Sequence, residues 1–310
     1  MIDSRSSNLF WTIKAIAIIS VFYAHLEWEG DTVGFEIYRS IGCLGVPLFM
    51  IMAGFFDAKS KATFGKRFKR LFIPLLIWGS VTFCINVYKI HIPLELFPKE
   101  YLKWIYGCGT WYYFIPVLFW CQLLVRFTNK WVLVFCGLTS MILTSLDIIP
   151  INEYLTPYSN PFNLIIYFII GREYRQLRGD MIPLSHKIAV LSVICVAAFL
   201  FIFKTPLYWN VFTPIFAVSF FYLLWYSLSH LSESKLFVKI GKISMVLYLC
   251  HMQIAQSIAG HFCNLTGGGI IGNVLKVPIA FIIVVGLVCA LERFLTYKKY
   301  DRMLLWLGYK

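Results

Sequence analysis

Lys14 and His25 are the two residues of the first apolar stretch with ionisable side chains that could bind an anion or transfer a proton. The run KAIAIISVFYAH places them eleven positions apart. At 3.6 residues per helical turn, this spacing returns the second side chain to within about 20° of the first, roughly 16 Å further along the axis. Ionisable groups in a membrane helix are costly and by default face a protein interior or a wet cavity, which indicates a function. The alternative is that Lys14 extends to the near membrane interface and His25 lies at the far one.

Composition defines the class of protein to which this helix belongs. Hydrophobic residues make up 59% of the chain and charged residues 14%, and the mean hydropathy is +0.74, outside the range of soluble globular proteins. We therefore predict an all-α integral membrane protein, a polytopic bundle that forms one domain over residues 1–310. Ten apolar windows approach the length of about 20 residues that a helix needs to cross a bilayer. They are 9–27, 41–57, 71–90, 111–127, 131–149, 160–177, 185–203, 210–229, 243–262 and 272–293.

The basic residues predict how this bundle is oriented. With the N-terminus inside, 21 Lys and Arg fall on the inner segments and six on the outer ones. Positive charge marks cytoplasmic loops, so both termini are expected in the cytoplasm, with the protein in the cell membrane. The net charge of +13 then reflects topology and attraction to anionic membrane lipids, and no nucleic-acid partner is expected. Lys14 falls in the inner half of its helix and His25 near the outer end.

A second informative stretch runs over residues 42–74. Gly42, Gly45, Ala53 and Gly54 would let helices approach closely. The basic run that follows alternates with phenylalanines, as in an amphipathic segment that lies along the inner membrane surface. It serves either as a topogenic and lipid-binding patch or as a landing site for a phosphorylated cytosolic ligand, since guanidinium groups grip phosphates with two hydrogen bonds. The alternating residues are Lys59, Lys61, Lys66, Arg67, Lys69 and Arg70, with Phe64, Phe68 and Phe72.

These segments, taken in order, resemble acyltransferase family 3, a family of polytopic membrane enzymes that acylate extracytoplasmic glycans. The family has a basic residue, ten intervening residues and a histidine in its first helix, which matches Lys14 and His25. The segments GVPLFMIMAGFF and KRFKRLFIP are similar to its next two motifs, and TWYYFIPVLF, YFIIGRE and IGKISMVLYLCH to later ones. The chain departs from the pattern at Lys14, where arginine is more usual, at Cys43, where arginine is often found, and at Ala53, where many members have serine. Arg39, one turn before Cys43, is a candidate substitute.

The resemblance implies transfer of an acyl group, most often acetyl, from an acyl-coenzyme A to a sugar hydroxyl of a lipid-linked or surface polysaccharide. A hydroxyl is a poor nucleophile until a base takes its proton, and histidine, with an ordinary pKa near 6.5, is suited to this. His25 is the expected general base or, alternatively, a transient acyl carrier. Glu27 lies about 200° around a regular helix from His25 and cannot orient it unless the helix has ended. The carboxylate that would orient His25 is therefore unidentified.

Other site residues follow from the same resemblance. Lys14 would hold the donor at its thioester or at a phosphate, and Arg67, Arg70 and Arg172 are candidates for the coenzyme A phosphates. Each of these cations would equally serve positive-inside topology. On the acceptor side the candidates are Arg39, Trp111, Tyr112 and His251. Trp111 and Tyr112 belong either to an aromatic belt at the membrane interface or to a sugar-stacking platform. His251 either lines the same substrate pathway as His25 or is a structural buried histidine.

Cysteine spacing gives no sign of a metal site. The nine cysteines are scattered singly, without a Cys-x-x-Cys pair or a zinc-like cluster. We predict no metal and no permanently bound cofactor, with acetyl-coenzyme A as a donor substrate only. A secondary transporter or flippase for a glycan or solute is the alternative function, although such a protein should show internal repeats, and none is convincing. A non-enzymatic scaffold would not explain the alignment of Lys14 with His25.

Overall fold

The structure is a computed structural model that describes most of the chain as helix. The described residues are 4–26, 34, 38, 41–90, 92–106, 111–146, 148–149, 159–178, 185–203, 213–230, 234–267 and 269–309. Within these ranges the regular elements are α-helices and two short 3-10 helices, Leu94–Leu96 and Trp111–Tyr113, and no strand is present. The all-α prediction is confirmed.

Thirteen α-helices are described. Each of the ten predicted windows overlaps one of them, and three short helices, α4, α10 and α13, lie outside the windows. The bounds are α1 Ser4–His25, α2 Gly45–Asp57, α3 Phe64–Ile90, α4 Phe97–Tyr106, α5 Phe114–Phe127, α6 Lys130–Ser145, α7 Pro161–Arg178, α8 His186–Phe203, α9 Thr213–Ser229, α10 Lys235–Lys242, α11 Ser244–Thr266, α12 Ile270–Tyr297 and α13 Asp301–Leu307.

Three of the described helices are long and apolar enough to cross a membrane, namely α1, α3 and α12. The number rises to five if two bent pairs are each one span. One pair joins α4 to the helical stretch 111–127 with a bend of 49°, and the other joins α10 to α11 with a bend of 76°. Several other apolar helices are shorter than 18 residues, so ten crossings and the cytoplasmic position of the termini stay predictions.

The basic run does not form a separate surface segment in the structure. Residues from Phe64 onward are the first turns of α3, which continues through Pro74 to Ile90 as one helix. The predicted window began only at Leu71, because the charges of Lys66 to Arg70 interrupt the apolar pattern without interrupting the helix. Lys66, Arg67, Lys69 and Arg70 are therefore fixed to the end of a long helix, whereas Lys59 and Lys61 lie just before it.

Glycines let three helices approach at backbone distance. A Cβ atom at Gly54 of α2 would lie 2.0 Å from the carbonyl oxygen of Phe168 in α7, and one at Gly171 of α7 would lie 1.9 Å from that of Ile51. A Cβ at Gly45 would lie 2.9 Å from the carbonyl oxygen of Ala17 in α1. The close approach predicted for Gly45 and Gly54 is confirmed, and it holds α1, α2 and α7 together.

Helix α1 lies between the two large hydrophobic clusters of the molecule. Its residues Ile18 and Phe22 belong to a cluster formed with α11 and α12. Phe10 and Ile13 belong to a second cluster, formed with α2, α5, α7 and α9. Lys14 and His25 are thus carried on a helix that packs on both sides, which gives their side chains a fixed protein setting.

Candidate functional site

The structure places His25 beside His251. His25 is the last residue of α1, His251 lies in α11, and the centroids of their rings are 5.1 Å apart. His251 is buried, with 1% of its surface exposed, and His25 is half-buried. The ring of Phe22 lies 5.5 Å from that of His251. Two histidines separated by 226 positions in the chain therefore form one pair, and a role for His251 on the reaction pathway stays a prediction.

Hydrogen bonding defines the proton positions of His251. Its Nδ1 atom lies 2.5 Å from the carbonyl oxygen of Tyr248. A carbonyl oxygen only accepts, so Nδ1 carries the proton and, in the neutral ring, Nε2 is an acceptor. Nε2 is buried and has no hydrogen-bond partner within the described part of the chain. Buried polar atoms are seldom left unsatisfied, so this atom is an available acceptor at the pair.

Tyr248 ties this site to the helical stretch that begins at Trp111. Its hydroxyl donates to the carbonyl oxygen of Trp111 and accepts from the backbone N–H of Phe114 at 3.3 Å. The ring of Phe114 also lies 5.5 Å from that of Tyr248. These contacts fix the turn of α11 whose carbonyl orients His251.

Tyr112 has a structural position. The residue is 0% exposed, its hydroxyl lies 2.7 Å from Thr82 Oγ1, and it donates to the carbonyl oxygen of Leu249 at 2.9 Å. These partners hold the ring in the core, and a role for Tyr112 in acceptor binding stays a prediction. Trp111 is half-buried and packs edge-on against Trp104 with ring centroids 5.1 Å apart.

Lys14 lies between two aromatic rings near the middle of α1. Its Nζ is 4.7 Å from the ring centroid of Trp11 and 5.2 Å from that of Phe56 in α2. Both distances fall within the range of a cation–π contact. Among the described residues Lys14 forms no ion pair, so its charge is held by ring faces and is not neutralised by a carboxylate.

Arg67 and Arg172 converge on a carboxylate that sequence reasoning missed. Asp57, the last residue of α2, is buried. Its Oδ2 accepts from Arg172 Nη1 at 2.6 Å, and its Oδ1 accepts from Arg67 Nη1. Arg67 also donates from Nε to the carbonyl oxygen of Ala62 at 3.2 Å. The two predicted phosphate ligands are thus parts of one internal ion triad, whereas Arg70 is exposed.

Two residues named in the sequence analysis are not described by the structure. Arg39 and Glu27 lie outside the described residues, so their roles stay predictions. Within the described residues no hydrogen bond or ion pair joins His25 to a carboxylate. Helix α1 ends at His25.

The described residues also contain no group of three or more His, Cys, Asp or Glu that is arranged to hold a metal ion. Lys14 adds a positive charge near the middle of α1, roughly 16 Å along the axis from His25.

The fold and the site define a helical membrane protein in which a half-buried histidine of α1 contacts a buried histidine of α11. A family model described as an acyltransferase domain, Acyl_transf_3, matches residues 12–293, nearly the whole chain. The chain therefore belongs to acyltransferase family 3, as its ordered motifs predicted. Comparisons with curated proteins and with solved structures give no match.

Proposed function

We propose that the protein is a membrane O-acyltransferase that moves an acyl group, most simply acetyl, from acyl-coenzyme A to a sugar hydroxyl of an extracytoplasmic or lipid-linked polysaccharide. The observation that carries this proposal is the contact of His25 with His251 in a member of an acyltransferase family. Cytosolic acyl-coenzyme A, the glycan acceptor and the surrounding lipids are its proposed partners, in the cell membrane.

In the proposed reaction His25 acts as the general base. The hydroxyl oxygen attacks the thioester carbonyl carbon while His25 takes the hydroxyl proton, and the C–S bond then breaks. The proton passes to the departing thiolate, so that the ester and free coenzyme A leave with no net change in protonation. Such proton transfer contributes about 10²–10⁴-fold to rate.

A covalent route through the same residue is the second form of the proposal. His25 would attack the thioester, release the thiol and hold the acyl group until the sugar hydroxyl takes it. An early burst of thiol release, in the presence of acceptor, is the kinetic sign of such an intermediate. A single steady rate from the first turnover supports the general-base form.

His251 is proposed as the positioning residue for His25. When one nitrogen of His25 accepts the hydroxyl proton, the other carries an N–H that needs an acceptor. His251 Nε2 is such an acceptor because the Tyr248 carbonyl holds the proton of that ring on Nδ1. This arrangement would supply the orientation that a carboxylate supplies in a catalytic triad.

The decisive experiment is turnover by the purified protein with acetyl-coenzyme A and a glycan acceptor. Thiol release and the mass gain of the acceptor are measured for the wild type and for His25→Ala, with His261→Ala as the matched control. His261 is an exposed histidine of α11. Transfer should be lost only in His25→Ala, and transfer retained there would remove His25 from the mechanism.

The same preparation distinguishes the transporter alternative. A wild type that shows no turnover, but moves a glycan or solute across a vesicle membrane, would contradict the enzyme proposal. The acyl group and acceptor are identified together by the mass difference between surface glycans of cells with and without the protein.

A further inference from the structure

A pocket of about 420 Å³ lies at the end of the bundle where α1 begins and α12 ends. It is distinct from the Asp57 triad, because none of its lining residues belongs to that triad. Helix α10 forms its main wall. The lining residues are Asn8, Lys235, Val238, Lys239, Lys242 and Glu292.

The three lysines share one face of α10. Positions 235, 239 and 242 differ by four and then three residues, which places their side chains within about 60° of one another. Like charges at this spacing disfavour one another in a bare helix. A row of three ammonium groups on one face is therefore an arrangement that an anion would stabilise.

Helix α10 is firmly docked, so the row of lysines has a defined position. A Cβ atom at Gly241 would lie 1.9 Å from the carbonyl oxygen of Trp11 in α1, and Ile240 is buried beside it. Ser234 caps the helix by accepting from the N–H of Phe237 at 3.5 Å. The pocket wall is thus part of the packed bundle.

The charge of the pocket is only partly balanced. Glu292 is the one carboxylate among its lining residues and lies 3.4 Å from Lys239 Nζ. The lining therefore keeps an excess of two positive charges. By contrast, Asp57 is shared by Arg67 and Arg172 in a buried triad, which leaves those guanidinium groups less available to a ligand.

We propose that this pocket binds the phosphate groups of a phosphorylated ligand, with Lys235 and Lys242 as its principal contacts and Glu292 as an opposing charge. The volume falls in the range of about 300–1,000 Å³ typical of small-molecule sites, so it accepts more than a single phosphate. The phosphates belong either to the nucleotide part of the donor, which rests on the proposed function, or to a phospholipid headgroup.

The test measures binding without turnover. Calorimetry with free coenzyme A and native mass spectrometry with phosphatidylglycerol, against phosphatidylcholine, are applied to the purified full chain. The variant Lys235→Gln/Lys242→Gln should lower the affinity for one of the two probes by at least about tenfold, which is the loss expected for charge-assisted hydrogen bonds. The variant Glu292→Gln should bind the same probe more tightly, because it removes a repulsive carboxylate.

The control is Lys298→Gln/Lys299→Gln, which removes two charges after α12 that do not line the pocket and should leave binding unchanged. Loss of coenzyme A affinity identifies the donor as the ligand, and loss of phosphatidylglycerol affinity identifies the lipid. Unchanged affinity for both probes in the double variant overturns the proposal. So does an equal loss in the control, which would mean a diffuse charge effect. Neither result bears on acyl transfer, which is measured separately.

Discussion

The carbonyl oxygen of Tyr248 accepts a hydrogen bond from Nδ1 of His251, 2.5 Å away and one turn later in α11. This bond leaves Nε2 of His251 as the acceptor in the neutral ring. It makes the two nitrogens of one buried side chain unequal, the first fixed by the helix itself and the second available to the neighbouring histidine.

Replacement of His251 tests its positioning role. His251→Ala should lower kcat by about 10²-fold, the cost of misplacing a catalytic group by about 1 Å, with little change in KM. His251→Gln retains an acceptor oxygen near the place of Nε2 and should recover much of the loss. The two steady-state constants are measured with acceptor saturating and donor varied.

A purely structural role for His251 would give a different pattern. Both variants would then lose thermal stability in parallel with activity, and glutamine would give no rescue. Equal kcat in wild type and His251→Ala would rule out the positioning role altogether.

Asp57 should be among the costliest polar residues to replace. Asp57→Asn leaves the guanidinium groups of Arg67 and Arg172 without their carboxylate in a largely buried place, and breaking such an arrangement costs about 3–5 kcal/mol. We expect a clear fall in the unfolding midpoint in detergent. The matched control is Glu173→Gln, which removes the more exposed pair with Lys130 at 2.7 Å and should cost about 1 kcal/mol or less.

The contact of α2 with α7 allows no added methyl group. In Gly54→Ala the new Cβ would lie 2.0 Å from a backbone oxygen, which only a shift of one helix can relieve. Overpacking of this kind typically costs about 1–3 kcal/mol, and we expect lower folded yield and a lower unfolding midpoint. Gly286→Ala in α12, where nothing lies within 4 Å of the added atom, should be tolerated, and equal loss in both would contradict close packing as the cause.

Lys14 is expected to act through its charge. Lys14→Gln should raise the KM for acyl-coenzyme A by about tenfold if a charge-assisted contact to the donor is lost, whereas Lys14→Arg keeps the charge and the cation–π contacts. Lys187→Gln, an exposed lysine of α8, serves as the control. An unchanged donor KM in Lys14→Gln would assign Lys14 to membrane anchoring.

The positions of the helices could be predicted because apolar length and glycine spacing are local properties. The window 160–177, for example, corresponds to α7 over Pro161–Arg178, and Gly54 was identified as a close-packing residue from its type and neighbours. The start of α3 was placed too late, since charged residues lower hydropathy but do not end a helix.

The partners of side chains could not be predicted in the same way, because they depend on tertiary packing. Asp57 meets Arg172 across 115 positions, and its only local signal was an acidic residue directly before the basic run. Tyr112 belongs to an aromatic motif that is typical of a membrane interface. Its hydroxyl instead hydrogen-bonds to Thr82 and to the carbonyl oxygen of Leu249, and its ring is buried. The proximity of His25 to His251 likewise required the packing of α1 against α11.

The end of α1 at His25 gives the histidine pair a direction. His25 keeps part of its surface exposed, whereas His251 is enclosed within α11 at 1% exposure. Under the proposed function, an incoming hydroxyl would therefore meet the first imidazole before the second. The two rings would then not be interchangeable, because exchanging their roles would require the acceptor to approach from within the protein.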